Sequence, residues 1–493
     1  MAEKLTPQQL QAVQDRGGAL LVSAAAGSGK TKVLVDRLLS YLKNPAEPAN
    51  LDDFVIITYT KAAASELRGK IAAMLTEAIA AEPENRHLQR QMQRLFLTKI
   101  STVHGFCSDI LREFAYRLDL AADFRGADEN ECRELRERVL ADLLDAAYES
   151  AGADEDFRSF VDSQGLGRTD LLVGEIILKV YDSARCHLDP DAWLRGCMDA
   201  TAVEELADAG ETPWGRYLMD DLFSYLDQQI SVMKRCADLA DRSEGMEKPA
   251  AVLRDTIYQL EHLRASACWD DIVARKNIDY GRLTFPRKGI DTGLAEQIKA
   301  CRTACKKGLE KYLKVFSDDS RQVLSDLETS GSATRGLVHL VQQFDKGYSA
   351  AKRSRRILDF GDLEHKMLDL LLGTKRSGRT AAAKEIGSRF REIMVDEYQD
   401  SNGVQDAIFE ALTAQRHNCF MVGDVKQSIY QFRLADPGIF LKKYHDYCPA
   451  EEAAAGEGRK VLLSANFRSG PEVIEAVNDV FADCMSDAVG GLE

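Results

Sequence analysis

A glycine-rich loop near the start of the 493-residue chain restricts the folds that the chain can adopt. The loop, residues 23–31, follows the short apolar run 19–23 and precedes residues 30–42, in which apolar residues recur at helical spacing. A buried strand that turns through glycines into a helix is typical of a parallel α/β sheet. We therefore expect an α/β domain built on such a sheet.

The same alternation of short apolar runs and helical patterns continues on both sides of a long helical region. Further strands are predicted at 54–57, 99–103, 391–395, 419–422 and 460–463, and further helices at 61–80 and 105–118. Between about residues 119 and 352 the patterns are helical, as in 128–150 and 216–243, without a series of strands. We predict one discontinuous α/β domain, residues 1–118 and 353–493, around an all-α insertion, residues 119–352.

The loop at 23–31 has the pattern of a phosphate-binding loop. Its glycines allow backbone N–H groups to point at phosphate oxygens, and the N-terminus of the following helix adds partial positive charge. Lys30 would contact the β- and γ-phosphates of ATP, and the Thr31 hydroxyl would ligate Mg²⁺. The strict pattern has glycine at the first position, where this chain has alanine. The residues expected to enclose the phosphates are Ala24, Ala25, Ala26, Gly27, Ser28, Gly29, Lys30 and Thr31.

Two carboxylates follow the predicted strand 391–395. Because the carboxyl ends of parallel strands meet at one edge of a sheet, we expect Asp396 and Glu397 to face the phosphate-binding loop. Asp396 is predicted to hold Mg²⁺ directly or through water, and Glu397 is predicted to polarise the attacking water. An acidic turn is often only a solvated surface, but its pairing with Lys30 and Thr31 favours catalysis.

Composition limits the class of protein. Lys and Arg number 64 against 79 Asp and Glu, and the resulting net charge of −15 excludes a chain that binds polyanions over its whole surface. The sequence contains no run of 18 apolar residues and no apolar signal core, so we expect a cytoplasmic chain without a membrane segment. The 11 scattered cysteines favour reduced thiols over a disulfide framework.

Six motifs, in this order, resemble those of superfamily 1 DNA helicases of the UvrD/Rep type. They are SAAAGSGKT at 23–31, TYTKAAASELR at 58–68, STVHGFC at 101–107, DEYQD at 396–400, VGDVKQSIYQFR at 422–433 and NFRS at 466–469. The resemblance is closer to the A subunits of AddAB-type helicase–nucleases, which are relatives of RecB. It implies a RecA-like P-loop NTPase fold and an ATP- and Mg²⁺-dependent DNA helicase that moves along single-stranded DNA in double-strand break repair and recombination.

The resemblance implies roles for further residues of the nucleotide site. Gln9 resembles the glutamine that reads adenine, Gln427 the γ-phosphate sensor that couples ATP to DNA contacts, and Arg468 an arginine on the γ-phosphate. With Lys30 and Glu397, the last two form the predicted catalytic set. A solvated amide remains the alternative for Gln9, and a surface charge the alternative for Arg468. Arg37 is a further nucleotide-binding candidate, for which an ion pair on the helix face is the alternative.

The resemblance also points to residues that contact single-stranded DNA. Bases stack on aromatic faces, and the stacking candidates are Tyr59, His104, Tyr430 and Phe432. The candidates for contact with DNA phosphates are Thr60, Lys61, Thr102 and Arg433. Burial in the core is the open alternative for Phe432, and packing beneath the strand is the alternative for Tyr59.

A basic segment stands out from the acidic average of the chain. Residues 271–314 hold 11 Lys and Arg against 5 Asp and Glu, a net charge of +6. Lys306, Lys307, Lys311 and Lys314 are spaced so that they can share one side of a helix. The segment is either a solvated face or an arm that contacts duplex DNA or a partner subunit.

The resemblance carries expectations about the whole molecule. Chains of the family continue with a second ATPase-like domain and, in AddAB-type relatives, a nuclease domain, so we expect this sequence to be an N-terminal part. A second helicase–nuclease subunit of the B type is the implied protein partner. Two alternatives remain open: a nucleotide-gated DNA-binding module with little turnover, and a UvrD-like repair helicase without a nuclease.

Overall fold

The structure is a computed structural model that describes residues 5–150, 154–164, 171–203, 205–286, 290–429 and 435–484. The strands are β1 (Leu20–Ala24), β2 (Phe54–Thr58), β3 (Lys99–Thr102), β4 (Arg125–Gly126), β5 (Ile357–Leu358), β6 (Glu392–Val395), β7 (Cys419–Gly423), β8 (Cys448–Pro449) and β9 (Arg459–Leu463).

Helices make up most of the rest of the described chain. They are α1 (Pro7–Gln14), α2 (Lys30–Leu42), α3 (Lys61–Ala81), α4 (Arg86–Arg94), α5 (Val103–Glu113), α6 (Glu129–Ser150), α7 (Glu155–Gln164), α8 (Leu171–Ala184), α9 (Pro190–Asp199), α10 (Pro213–Asp241), α11 (Glu247–Arg264), α12 (Trp269–Arg275), α13 (Thr292–Leu313), α14 (Ser320–Ser354), α15 (Phe360–Leu372), α16 (Ala381–Ser388), α17 (Gly403–Thr413), α18 (Pro437–Asp446) and α19 (Pro471–Cys484). Among the described residues, no helix combines the length and the apolar composition that crossing a membrane requires.

A seven-stranded parallel sheet organises the α/β part. Its strand order is β3-β2-β6-β7-β1-β9-β8. The register places Leu20 beside Phe420 and Ile57 beside Val395. Since β6, β7 and β1 are neighbours and run in the same direction, the loops that follow them leave one edge of the sheet side by side. The predicted α/β fold class with a parallel sheet is confirmed.

The central strands are buried on both faces, as is usual for parallel sheets covered by helices. On one face Leu21, Val55 and Val395 pack in a core with α5, α15, α16 and α17. On the other face Val22 and Ile56 pack in a core with α2, α3 and α4. These two apolar layers hold the carboxyl ends of the strands in fixed positions, and the candidate site lies on those ends.

The chain divides into two compact units. One contains the sheet and comprises residues 1–142, 179–190 and 344–493, and the other comprises residues 143–178 and 191–343. The core of the second unit is helical and is formed chiefly by α10, α11, α12 and α13. In that core the Trp269 and Phe316 rings lie 4.3 Å apart.

This division differs from the predicted limits of the insertion at 119 and 352. The sheet unit also takes in residues 119–142, 179–190 and 344–352. One reason is that β4 pairs with β5, which follows the long helical region. A strand of two residues leaves no alternating pattern in a sequence, and so the helical patterns of 119–352 do not indicate β4.

Candidate functional site

The phosphate-binding loop has the backbone shape that its glycines allow. β1 ends at Ala24, and Gly27 and Gly29 adopt left-handed φ angles of 72° and 85°. A Cβ added to Gly27 would lie 2.8 Å from Asn466 Oδ1, so only glycine fits there without displacing that side chain. Gly29 caps the N-terminus of α2, and the helix therefore begins at Lys30.

The carbonyl oxygens of this loop accept hydrogen bonds from neighbouring groups. The Ala25 carbonyl accepts from Ser28 Oγ at 2.7 Å, and the Ala26 carbonyl accepts from Asn466 Nδ2 at 2.8 Å. The Gly27 carbonyl accepts from the Phe467 N–H at 2.9 Å, and the Ser28 carbonyl from the Gln9 amide at 3.0 Å. The N–H groups of Ala25 and Ser28 donate to the carbonyls of Leu463 and Ala25. A loop whose carbonyls are bonded to the protein is suited to direct its other N–H groups at an anion.

Lys30 lies where the predicted catalytic side chains meet. Its Nζ is 3.5 Å from Glu397 Oε2 and donates to Gln427 Oε1 at 3.3 Å. These three residues are separated by up to 397 positions in the chain. The fold thus brings together Lys30, Glu397 and Gln427, three of the four predicted catalytic residues.

Two buried side chains that the sequence reasoning did not assign complete this arrangement. Gln399 Nε2 donates to Glu397 Oε2 at 2.9 Å, and Gln399 Oε1 accepts from the Asp424 N–H at 2.9 Å. Asp424 Oδ2 in turn accepts from Gln427 Nε2 at 2.7 Å. The contacts form a closed ring from Lys30 through Glu397, Gln399, Asp424 and Gln427. The ring fixes the orientation of the Glu397 carboxylate.

Close packing sets the positions of this ring. A Cβ on Gly423 would lie 2.3 Å from Gln399 Oε1, so β7 must end in glycine for Gln399 to reach across. Glu397 itself has a left-handed φ of 53°, which is uncommon for a residue with a side chain. Such backbone strain persists when surrounding contacts hold it, and it is frequent at functional sites.

Asp396 is buried beside this ring at the end of β6. Its Oδ1 accepts from the Glu397 N–H at 3.1 Å. Burial, and then the Glu397 charge, raise the pKa of Asp396 to about 6, and the same two causes raise the pKa of Asp400 to about 6. The site therefore concentrates negative charge, which a cation would offset.

The donor set fits Mg²⁺. Asp396 offers a carboxylate and Thr31 a hydroxyl, and Mg²⁺ prefers such hard oxygen ligands together with water and substrate phosphates. Among the described residues no group of three His, Cys, Asp or Glu side chains forms a metal site by itself.

Gln9 lies against the phosphate-binding loop. It is buried and, besides its bond to the Ser28 carbonyl, accepts from the Thr6 N–H at 3.0 Å. The Thr6 hydroxyl in turn accepts a hydrogen bond from the Gln9 N–H, and these two bonds form the capping box at the start of α1. The solvated amide considered as an alternative is thus excluded, while the reading of adenine stays a prediction.

The two arginine candidates differ in position. Arg468 is exposed, and its N–H donates to Asn466 Oδ1 at 2.8 Å beside the phosphate-binding loop. Arg37 is only 1% exposed and donates to Glu392 through Nε at 2.9 Å and Nη2 at 2.5 Å. Its Nη1 donates to the Ala12 carbonyl at 2.6 Å. Because its guanidinium is committed to the core, the expectation that Arg37 binds nucleotide is corrected to a buried ion pair.

Five of the predicted DNA-contacting residues lie at or just after the ends of β2 and β3. The other three, Tyr430, Phe432 and Arg433, are outside the described residues. Thr60 and Thr102 accept from backbone N–H groups and cap α3 and α5, and Lys61 is exposed at the start of α3. Tyr59 is half-buried, packs on the core and hydrogen-bonds Ser401 through its hydroxyl. This placement favours the packing alternative for Tyr59.

His104 belongs to an aromatic pair that the sequence did not predict. Its ring stacks on Phe360 with centroids 4.3 Å apart and planes inclined by 22°. Phe360 is 60% exposed at the first position of α15, so this pair presents an aromatic face to solvent. Phe360 lies in none of the sequence motifs. Its contact with His104 cannot be inferred from the sequence, because the two residues are more than 250 positions apart.

Comparison with known proteins agrees with this geometry. The family model described as the UvrD/REP helicase N-terminal domain matches residues 5–448. The chain is 35% identical to the A subunit of the ATP-dependent helicase/nuclease of Clostridium novyi, over 99% of this chain and 40% of that protein. It is 37% identical to the proteins of the same name from Pelotomaculum thermopropionicum and Geobacillus kaustophilus, over 98% of this chain and 39% and 40% of those proteins. The chain thus spans about 40% of the length of these curated relatives. The family model matches most of the chain, and the phosphate-binding loop, Asp396 and Glu397 lie at one edge of the sheet. The chain therefore belongs to the UvrD/REP helicase family.

Proposed function

We propose that this chain is the ATP-binding part of an ATP-dependent DNA helicase that moves along single-stranded DNA in double-strand break repair and recombination. The observation that carries the proposal is the closed ring of contacts from Lys30 through Glu397 and Gln427 at the carboxyl edge of the sheet. The relatives are named as A subunits of ATP-dependent helicase/nucleases, and these names support the proposal and suggest a helicase–nuclease assembly.

The proposed catalysis assigns one task to each group. The loop N–H groups and Lys30 would hold the β- and γ-phosphates, and Thr31 and Asp396 would hold Mg²⁺. When bound, Mg²⁺ supplies positive charge against the phosphate oxygens. Glu397 orients and polarises the attacking water, and its own orientation is fixed by Gln399. Gln427 contacts both Lys30 and Asp424, and these contacts support its proposed role as the sensor of the γ-phosphate. Arg468 would add positive charge near the γ-phosphate.

We assign the binding of single-stranded DNA to the aromatic pair His104 and Phe360. Replacing either residue by alanine should weaken binding of an oligo-dT by about 1–3 kcal/mol, roughly 5- to 150-fold, because one base loses its stacking platform. The measurement is fluorescence anisotropy of a labelled oligo-dT. Tyr258→Ala is a matched control, since Tyr258 is also exposed and stacks near a histidine, His262, but lies in the helical unit. Unchanged affinity in the His104→Ala, Phe360→Ala double variant would contradict the assignment.

We assign duplex DNA to the basic segment 271–314. Lys306, Lys307, Lys311 and Lys314 are all exposed, on α13 or just after it. Lys306 also lines a cavity of about 470 Å³ with Tyr280. The charges of these lysines can approach phosphates without disturbing the helical core.

The salt dependence of duplex binding tests this assignment. Substituting all four lysines by glutamine should lower the slope of log affinity against log salt by about 0.9 for each phosphate that is no longer neutralised. A matched variant with glutamine at Lys43, Lys70, Lys234 and Lys384 removes the same charge elsewhere. An unchanged slope in the α13 variant would favour the solvated-face alternative.

The protein partner proposed from the relatives' names is a second helicase–nuclease subunit.

A further inference from the structure

A buried carboxylate lies behind the aromatic pair and has no part in the catalysis described above. Glu364 is 5% exposed, and its Oε1 lies 3.0 Å from His104 Nε2 and accepts from Gln405 Nε2 at 2.7 Å. Burial alone would raise the pKa of Glu364, but hydrogen bonds from His104, Gln405 and Asn402 outweigh it and lower the pKa. The carboxylate is therefore charged and holds several donors at once.

Glu364 and Phe360 are four residues apart on α15, so both belong to the same face of the helix. The His104 ring contacts both of them: it stacks on Phe360 and meets Glu364 through Nε2. A base that stacks on this pair and turns the His104 ring must change the bond to Glu364. The position of one buried carboxylate thus depends on what occupies the aromatic face.

The other end of this network lies next to the catalytic turn. Gln405 and Asn402 form the capping box at the start of α17, in which the Gln405 N–H donates to Asn402 Oδ1 at 2.9 Å. They follow the turn 396–400 within five residues, and that turn is closed by the Asp400 N–H donating to the Glu397 carbonyl at 3.0 Å. Between them, Ser401 hydrogen-bonds the Tyr59 hydroxyl.

We propose that Glu364 is a positioning residue that links His104 on the DNA face to the turn carrying Glu397, through Gln405 and Asn402. The link reaches the turn from the side of α17 and does not pass through Gln427. This inference rests on the proposed function, because it assumes that His104 contacts single-stranded DNA. It predicts that the affinity for DNA and the affinity for nucleotide are coupled through Glu364.

The test measures this coupling in the full-length protein. The dissociation constant of a labelled oligo-dT is determined with and without Mg²⁺ and a non-hydrolysable ATP analogue. In wild type we expect the two constants to differ by about fivefold or more. In Glu364→Gln, which removes the charge, and in Gln405→Met, which cuts the link beyond Glu364, the ratio should fall to within about twofold of one. The affinity for the analogue without DNA should stay within about twofold of wild type.

Two comparisons separate a positioning role from a merely structural one. In a double-variant cycle with His104→Ala, the effects of Glu364→Gln on the ratio should not add, because both act on one path. Asp369→Asn is the matched control, since Asp369 is also a carboxylate of α15 but pairs with Arg376 away from His104. It should keep the wild-type ratio.

The outcomes distinguish this inference from the proposed function. A wild-type ratio retained in both Glu364→Gln and Gln405→Met, or additive effects in the cycle, would overturn the role of Glu364 and leave the proposed function intact. A wild-type protein whose DNA affinity does not respond to the nucleotide analogue would overturn the proposed coupling of ATP to DNA, and with it the role of Glu364.

Discussion

Lys30→Ala should lower the affinity for Mg-ATP by about 10- to 150-fold, the loss typical of a hydrogen bond to a charged group. Glu397→Gln should leave that affinity within about twofold and reduce turnover by about 10²- to 10⁴-fold, because it removes the base but keeps the shape of the side chain. The difference follows from the geometry: Lys30 begins the helix directly after the glycine-rich loop, whereas Glu397 is held by Gln399. Calorimetry measures the affinity, and phosphate release measures turnover.

Lys43→Ala is the matched control for Lys30→Ala. Lys43 follows the opposite end of α2 and pairs with Glu82 on the surface, so its removal should leave nucleotide affinity unchanged. Equal ATP affinity for wild type and Lys30→Ala would contradict the assignment of the phosphate-binding loop. Turnover by Glu397→Gln at the wild-type rate would contradict the assignment of the base.

Glu392→Ala should lower the free energy of unfolding by about 3–5 kcal/mol, since it leaves the buried Arg37 guanidinium without its carboxylate partner. The pair lies between α2 and β6, and the Tyr41 hydroxyl also donates to Glu392, at 3.1 Å. Urea denaturation measures the loss. The exposed pair between Arg356 and Asp123 is the control, and Asp123→Ala should cost at most about 1 kcal/mol.

The same experiment decides between the two roles considered for Arg37. Replacing both partners together, as Arg37→Met with Glu392→Met, removes the unpaired charge and should recover much of the stability. ATP affinity should remain at the wild-type value in the double variant. A double variant that is stable but has lost ATP affinity would restore Arg37 to the nucleotide site.

The parts of the fold that the sequence predicts are those in which local pattern and motif coincide. α2 lies at 30–42 as predicted, because apolar residues at helical spacing begin directly after the glycines and end before Asn44 and Pro45. β1 lies within one residue of its predicted position. In both cases the signal is contained in a few neighbouring residues, so no knowledge of the tertiary structure is needed.

The residues that the sequence reasoning missed depend on distant partners. Arg37 and Glu392 are separated by 355 positions, and no residue near Arg37 in the sequence indicates that its guanidinium pairs with a buried carboxylate. Gln399 stands inside a recognised motif, but its role appears only when the Asp424 N–H is found beside it. Phe360 begins a helix with an ordinary cap, and only the His104 ring marks it as part of a surface.

We expect ATP hydrolysis at this sheet edge to respond to single-stranded DNA on the neighbouring aromatic face. The most direct test is the steady-state rate of ATP turnover by the full-length protein as oligo-dT is added. The rate should rise with DNA concentration to saturation and should be lost in Glu397→Gln. A rate that is the same with and without DNA, or that persists in Glu397→Gln, would contradict this expectation.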